Sequence, residues 1–456
     1  MFLVALLLRL GFGLLTSSTF DPDEFVILAL GKAVSHGAAA YGSITYFHPP
    51  GMLVLFAWLS PLLSWWWPLG RVVIILFDSG TAFLVWRVAR ELRSEKEALV
   101  AGLLYAFSPI ALVSAVRIGP DPVITFFGIG GLFLLLASRS RAATVGAGVC
   151  LAIAVWTKYP AVFFVPAYLL LARRRSPLLL LSCAAALVCL LVPFSGQTRA
   201  MLAQTVQWQL GHRSASDLAH RLGPVGVYWL LLNPLAVAAL WKVRQPLWIV
   251  LGFSVGAAFL LTSQAYYHYF VPMVPFAALL AAPLATSLLK RCPTFIGLVA
   301  LGASCLWGID IAHGTPMMRL FVTASSFADA QQTAVLLDHS TNSRAPVLTD
   351  EYEYAMFAHR KTVNYFWNMN TMVRARSLER HIPRLSAVVE TRGDPTYPPG
   401  FIDYLQDKRF PHFRTRATDV WLMHPLHNGR VALAVHNARA SGPPASTNAG
   451  ARSSVP

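Results

Sequence analysis

The chain has 456 residues, of which 55% are hydrophobic and 13% charged, and its mean hydropathy is +0.53. Repeated apolar runs, rather than one soluble core, must account for such a composition, which excludes an ordinary globular enzyme and indicates a polytopic membrane protein. The net charge of +16 would suit nucleic acid, but the basic residues collect in short loops beside apolar runs, and the positive-inside rule explains them without such a partner.

The first apolar run, Phe2 to Ser18, has no basic stretch before it and no small-residue cleavage site. It reads as a retained helix, with Arg9 inside it. An acidic turn, Asp21-Pro22-Asp23-Glu24, comes next, then a helix ending His36-Gly37 and a loop ending Tyr46-Phe47-His48-Pro49-Pro50-Gly51. The run from Pro50 to Trp67 is expected to be interfacial or re-entrant, with Trp65, Trp66 and Trp67 at headgroup depth, because a full crossing there would put Arg87 to Arg93 on the wrong face. Further spans are expected at Val72 to Val88, Ala98 to Val116, Val123 to Ala137, Ala142 to Trp156, Ala161 to Leu171, Pro177 to Pro193, Val225 to Trp241, Leu247 to Thr262, Tyr269 to Leu289 and Phe295 to Ile311. That makes about eleven crossings, some shorter than the ~20 residues of an untilted span.

Cysteines 150, 183, 189, 292 and 305 lie in or beside these runs without CxxC spacing, which implies neither a disulfide scaffold nor a zinc site. After Ile311 the hydropathy falls. Residues 1–312 form the expected membrane domain, and residues 313–433 a small α/β domain on the outer face. Its signals are the stretch Phe327 to Leu337, the run Ala345 to Leu348, helix-like Met372 to His381, the run Ala387 to Val389, and Val420 to Met423. Residues 434–456 read as a disordered tail.

If the basic loops are cytoplasmic, helix parity places Phe20 to His48, Gly119 to Asp121, Lys158-Tyr159, Ser195 to Gly223 and Ser263 to His268 together on the opposite face. These segments supply carboxylates able to act as a base on a hydroxyl, and cations (His48, Arg117 and Lys158) able to hold a phosphate. The plainer reading of Asp21, Asp23 and Glu24 is a capped helix start; that of Lys158 is a snorkelling interfacial lysine; that of Arg117 and Asp121 is a structural ion pair. Arg9 and Asp78 lie within apolar runs, where each needs a partner that the sequence does not name. Asp350 to Tyr354 read as a surface turn, and His412, His424, His427 and His436 lack ligand spacing.

A base and a phosphate-binding group at one membrane face fit an enzyme acting on a lipid phosphate. The rival from another class is a solute transporter, which usually places such groups near the bilayer midplane in paired halves. An O-antigen-ligase-like transferase and a non-catalytic scaffold with a soluble sensor domain are further alternatives.

Four segments in order carry a resemblance: Pro22-Asp23-Glu24 with Tyr46 to Gly51; Arg117 to Asp121; Thr157-Lys158-Tyr159-Pro160; and Tyr269-Phe270-Val271-Pro272-Met273-Val274-Pro275. Over roughly residues 1 to 290 the chain resembles the polyprenyl-phosphate-sugar glycosyltransferases of the C superfamily, which include protein O-mannosyltransferases and the aminoarabinose transferase that modifies lipid A. The resemblance implies an integral protein of the plasma (inner) membrane. It also implies inverting transfer, on the extracytoplasmic face, from a polyprenyl-phosphate-sugar donor to a lipid, glycan or protein acceptor. Asp23 matches the loop acid that serves as general base, with Glu24 beside it, and Asp121 matches the second acid, which orients the acceptor or a divalent metal in some members. Lys158 and Tyr269 match positions near the donor phosphate. His48 stands where some relatives carry Lys, and His268 where many carry Arg or Lys; an ordinary imidazole, with a pKa of ~6.5, is mostly uncharged at neutral pH.

Overall fold

A computed structural model describes residues 1–17, 19–42, 44, 46–207, 267–291, 325–340, 347–349, 387–391, 412–414 and 418–422. The chain divides into two compact units, Met1–Ser326 and Phe327–Pro456.

The first unit is mostly helical. Helix α1 (Phe2–Leu15) leads to a two-residue strand, β1 (Thr19–Phe20), and then to α2 (Pro22–Ser35). The start of α2 is fixed by its own side chains. Asp23 N–H donates to Asp21 Oδ1 at 3.1 Å, Asp21 N–H donates to Glu24 Oε1 at 2.9 Å, and Pro22 occupies the first helical turn. The helix stops at His36, followed by Gly37 at φ +89°, a conformation that favours glycine.

Helix α3 (Gly51–Trp65) packs along α2 so closely that a Cβ on Gly31 would fall 2.8 Å from the Cβ of Phe56. Trp58 and Trp65 of α3 are 86% and 88% exposed. Trp67 is half-buried, its ring 5.3 Å from that of Phe25 and 5.2 Å from the Arg71 guanidinium, so a cation and an aromatic neighbour seat it.

Helices α4 (Leu69–Leu92), α5 (Glu95–Ala106), α6 (Pro109–Ala115), α7 (Pro120–Ala137) and α8 (Arg141–Thr157) follow. The single span expected over Ala98 to Val116 is bent by 56° between α5 and α6, where Pro109 restarts the helix. A 3-10 turn (Tyr159–Phe164), α9 (Val165–Ala172), α10 (Ser176–Leu191) and α11 (Thr198–Leu202) form a largely helical run to Gln207, broken at Arg173, where φ is +49°. After a 3-10 turn at Tyr267–Met273, α12 (Val274–Arg291) packs against α5. The spans expected at Val225 to Trp241, Leu247 to Thr262 and Phe295 to Ile311 lie outside the described residues.

Among the described residues, four helical stretches are long and apolar enough to cross a membrane, or five counting the bent pair, and three shorter apolar helices accompany them. Their shared core includes Val85, Tyr105, Ile124, Leu151, Phe164 and Phe276. Within it Arg9 and Asp78, fully buried, meet as an ion pair. The Tyr105 hydroxyl donates to Asp78 Oδ1 at 2.5 Å, and Arg9 Nη1 donates to the carbonyl of Ala106 at 3.4 Å. Each of these two charges supplies the partner that the other's burial demands.

Strand β2 (Ser325–Ser326) pairs antiparallel with β1, Thr19 opposite Ser326 and Phe20 opposite Ser325. The end of this unit is thereby joined to the residue before Asp21.

The second unit contains α13 (Phe327–Ser340) and strands β3 (Val347–Thr349), β4 (Ala387–Thr391), β5 (His412–Arg414) and β6 (Thr418–Leu422), in the sheet order β3-β4-β6-β5. β3 and β4 run parallel; the other pairs are antiparallel. Val347, Ala387, Val388, Val420, Trp421 and Leu422 are buried. β5 was not expected from the sequence, since His-Phe-Arg carries only one apolar residue. Met372 to His381 lie outside the described residues.

Candidate functional site

The first turn of α2, the loop before α3, the turn between α6 and α7, the end of α8 and the residues after α11 meet at one place. Glu24, fully buried, is the anchor. Arg71 holds it through two parallel bonds, Nε to Oε2 at 2.7 Å and Nη2 to Oε1 at 2.8 Å. Arg117 Nη1 approaches Oε1 at 3.5 Å, and Ile118 N–H donates to Oε2 at 3.1 Å. Burial pushes this carboxyl up, but Arg71 and then Arg117 outweigh it and hold Glu24 below the usual glutamate range. Glu24 is therefore a fixed anion that locks the turn, whereas the family resemblance places it beside the base as a catalytic group.

Lys158 and Asp121 form the second buried pair, with Nζ 2.9 Å from Oδ1 and 3.0 Å from Oδ2. Lys158 is 3% exposed, so it is an internal cation and not a snorkelling one. Its place follows from the chain: α8 ends at Thr157, and Lys158 adopts an extended backbone between that end and the 3-10 turn that starts at Tyr159.

Asp23 lies between these pairs. It is half-buried, and among the described residues its carboxylate has no hydrogen-bond or ion-pair partner. Burial, then the charge of Asp21, push its pKa well above the usual aspartate value of 3.8, with Lys158 opposing and Glu24 and Asp121 adding to the rise. Asp21 is raised as well, by burial and then by Glu24. A half-buried carboxyl with a raised pKa and a free oxygen is suited to taking a proton from a bound hydroxyl.

The loop over the site is seated by packing and by one glutamine. A Cβ on Gly51 would lie 2.7 Å from the Cα of Thr157, so the Pro-Pro-Gly elbow rests against the end of α8. Tyr46 N–H donates to Gln204 Oε1 at 3.0 Å, Gln204 Nε2 donates to the Tyr41 carbonyl at 3.0 Å, and the Tyr41 hydroxyl donates to the His48 carbonyl at 2.7 Å. The Tyr46 and His48 rings meet edge to face at 5.6 Å. Burial and then the charge of Lys158 lower the His48 pKa to about 3, so its imidazole is neutral at physiological pH. It can offer an anion a neutral N–H donor but no positive charge.

Asp23, Glu24, His48, Arg117, Asp121 and Lys158 are thus brought together. The backbone of His268 and Tyr269 lies in the 3-10 turn that packs against α6 and α7; their side chains lie outside the described residues. Sequence reading missed Arg71 and Gln204. Arg71 sits just ahead of the apolar run that begins at Val72, and a cation at that boundary is the usual mark of an interface, not of a buried pair. Among the described residues no group of three or more His, Cys, Asp or Glu side chains is placed to hold a metal, and Glu24 and Asp121 are already ion-paired.

Residues 32–207 match the family model described as GPI transamidase subunit PIG-U. GPI mannosyltransferase 1 of Saccharomyces cerevisiae is 25% identical over 180 residues, which is 36% of this chain and 41% of that protein, so the chain spans less than half the length of this curated relative. The crystal structure of ArnT from Cupriavidus metallidurans bound to undecaprenyl phosphate superposes with a TM-score of 0.63 at 13% identity, over 92% of this chain and 97% of that one. The oligosaccharyltransferase of Archaeoglobus fulgidus gives 0.55 at 11% identity, over 86% and 67%. At such identities the two structures establish a shared fold. They and the sequence matches bear out the resemblance to the C-superfamily polyprenyl-phosphate-sugar glycosyltransferases.

Proposed function

We propose that the chain is a membrane glycosyltransferase that moves a sugar from a polyprenyl-phosphate donor to an acceptor hydroxyl on the extracytoplasmic face, with inversion and with Asp23 as general base. The free, half-buried Asp23 carboxyl between two saturated ion pairs is the observation that carries this reading. Asp23 takes the proton of the acceptor hydroxyl as its oxygen attacks the anomeric carbon. The carbon–oxygen bond to phosphate breaks and the polyprenyl phosphate departs with the bonding electrons. Lys158, the nearby cation whose field reaches both Asp23 and His48, favours the charge that develops on the departing group. Glu24, Arg71 and Arg117 hold the turn that aims Asp23.

A lipid-linked donor agrees with the apolar bundle around the site, and undecaprenyl phosphate is the molecule bound to the similarly folded ArnT. The name of the yeast relative makes mannose the favoured sugar. The soluble second unit, the disordered tail and the placement of the site outside the plasma membrane belong to the same proposal. So do the phosphate contacts of Tyr269 and His268.

A second reading, a non-catalytic subunit of a membrane assembly, draws on the match to a transamidase subunit, which begins at residue 32 and leaves out the acidic turn. Membranes containing wild type or Asp23→Asn, incubated with radiolabelled polyprenyl-phosphate sugars, separate the two. Transfer by wild type that is lost in Asp23→Asn is expected. Equal transfer by both would sink the base assignment, and no transfer from any lipid-linked sugar would favour the subunit.

A further inference from the structure

Tyr46 stands apart from the groups described so far. Its ring is 3% exposed, and among the described residues its hydroxyl is buried without a hydrogen-bond partner. Burying an unpaired phenolic O–H costs about 1–3 kcal/mol, so native chains keep one only where something else answers it. Among the described residues, contacts hold Tyr46 in place on both its backbone and its ring. The Tyr46 backbone is pinned by Gln204 at 3.0 Å, and its ring is set edge to face on His48 at 5.6 Å. The phenol is also near enough to Asp23 for that carboxylate's charge to act on it.

We infer that the Tyr46 hydroxyl is a ligand-binding group, a neutral donor to an oxygen of the donor's phosphate. The inference rests on the donor class proposed above. The charges of the site favour a phosphate oxygen over a second carboxylate or a cation as the partner. Arg71 and Arg117 are engaged with Glu24, and Lys158 with Asp121. His48 next to Tyr46 is kept neutral. An anion entering beside Asp23 therefore meets few uncommitted donors, and a phenol supplies one without adding charge. Burial, followed by the Asp23 charge, raises the Tyr46 pKa, so the phenol keeps its proton, and hence its donor capacity, at physiological pH. A donor aimed where charge develops on the leaving oxygen strengthens as the bond breaks.

The test compares wild type with Tyr46→Phe, full-length in lipid nanodiscs, using undecaprenyl phosphate and undecaprenol as binding probes beside the transfer assay. Phe keeps the ring and removes only the hydroxyl. Thermal unfolding is expected to be unchanged or slightly raised. Binding of undecaprenyl phosphate is expected to weaken several-fold while undecaprenol binding stays the same, and transfer is expected to fall by roughly 10²- to 10³-fold, in the range seen when one such donor is removed. Equal loss of both probes, or loss of folded protein, would make Tyr46 a structural residue and overturn the inference. Unchanged phosphate binding and transfer in Tyr46→Phe would overturn it too, while leaving glycosyl transfer intact. If wild type itself shows no preference for undecaprenyl phosphate over undecaprenol, the donor class fails and the role of Tyr46 fails with it.

Discussion

Glu24 and Arg71 meet through two parallel bonds of 2.7 and 2.8 Å, while Asp23, the residue before Glu24, has no carboxylate partner among the described residues. Adjacent acids on one helical turn point to different sides, and here one side holds two guanidiniums. The same turn thus carries an anion fixed for structure and a carboxyl free for chemistry.

Asp23→Asn should lower transfer by roughly 10²- to 10⁴-fold, the usual share of a general base. It should not lower stability at neutral pH. The sign follows from the raised pKa: the folded state favours protonated Asp23, a preference fully present below the ordinary value of 3.8 and lost as pH rises through the raised value. Wild-type transfer should rise with pH over that same window, and His48, held at about 3, should add no limb between pH 5 and 8. Steady-state rates and thermal melts across pH check both, and a melt markedly lower for Asp23→Asn would refute the assignment.

Glu24→Gln should behave in the opposite way. Removing one partner of a buried pair leaves Arg71 and Arg117 uncompensated, at a cost of about 3–5 kcal/mol. Glu24 is lowered below 4.5, so its contribution is present above that value and is lost as pH falls through the folded pKa. Detergent-solubilised wild type should therefore lose stability on acidification below pH 4.5, and Glu24→Gln should be poorly folded at pH 7. Fluorescence-detected size exclusion and melts would show whether it is.

Lys158→Met strands Asp121, and Asp121→Asn strands Lys158, so each alone should lose about 3–5 kcal/mol. The double variant should regain part of that stability, because neither charge is then buried alone. It should not regain transfer if Lys158 stabilises the leaving phosphate. A double-mutant cycle on melting, run with the transfer assay, separates the two roles; recovery of both would reduce Lys158 to a structural cation.

The positive-inside pattern predicts that a reporter fused after Leu171, just ahead of Arg173 to Arg175, is cytoplasmic and that one fused at Leu433 is outside. Paired phosphatase and fluorescent-protein fusions test this directly. The reverse placement would move the site to the other face.

Much of the site was legible because motifs mark it locally. Asp21, Pro22 and Glu24 announce a capped helix start, and Thr157-Lys158-Tyr159-Pro160 a helix end, and the structure has both. Partner choice was not legible. Arg9 and Asp78, or Lys158 and Asp121, find each other through packing of helices distant in sequence, and no local period records which faces will touch. Hydropathy also passes over Pro109, which changes a span's direction without changing its apolarity, and so the break between α5 and α6 was read as continuous. Arg71 was lost for the related reason that a cation at the edge of an apolar run looks the same whether its head reaches water or a carboxylate.

The pairing of Thr19 with Ser326 bears on how this unit can be assembled. The ladder closes the unit's chain on itself just where Asp21 begins, so the strand that leads into the acidic turn finds its partner only after the last residues of the unit have been made. Such a contact is among the most distant in sequence that the unit contains, and closing it is a slow, late step compared with helix pairing. A nascent chain would hold its apolar bundle, and the capped turn with its ion pairs, before the strand ahead of that turn is paired. A fragment ending near Gln207, though it keeps the Glu24 and Lys158 ion pairs, would lack that fastening altogether.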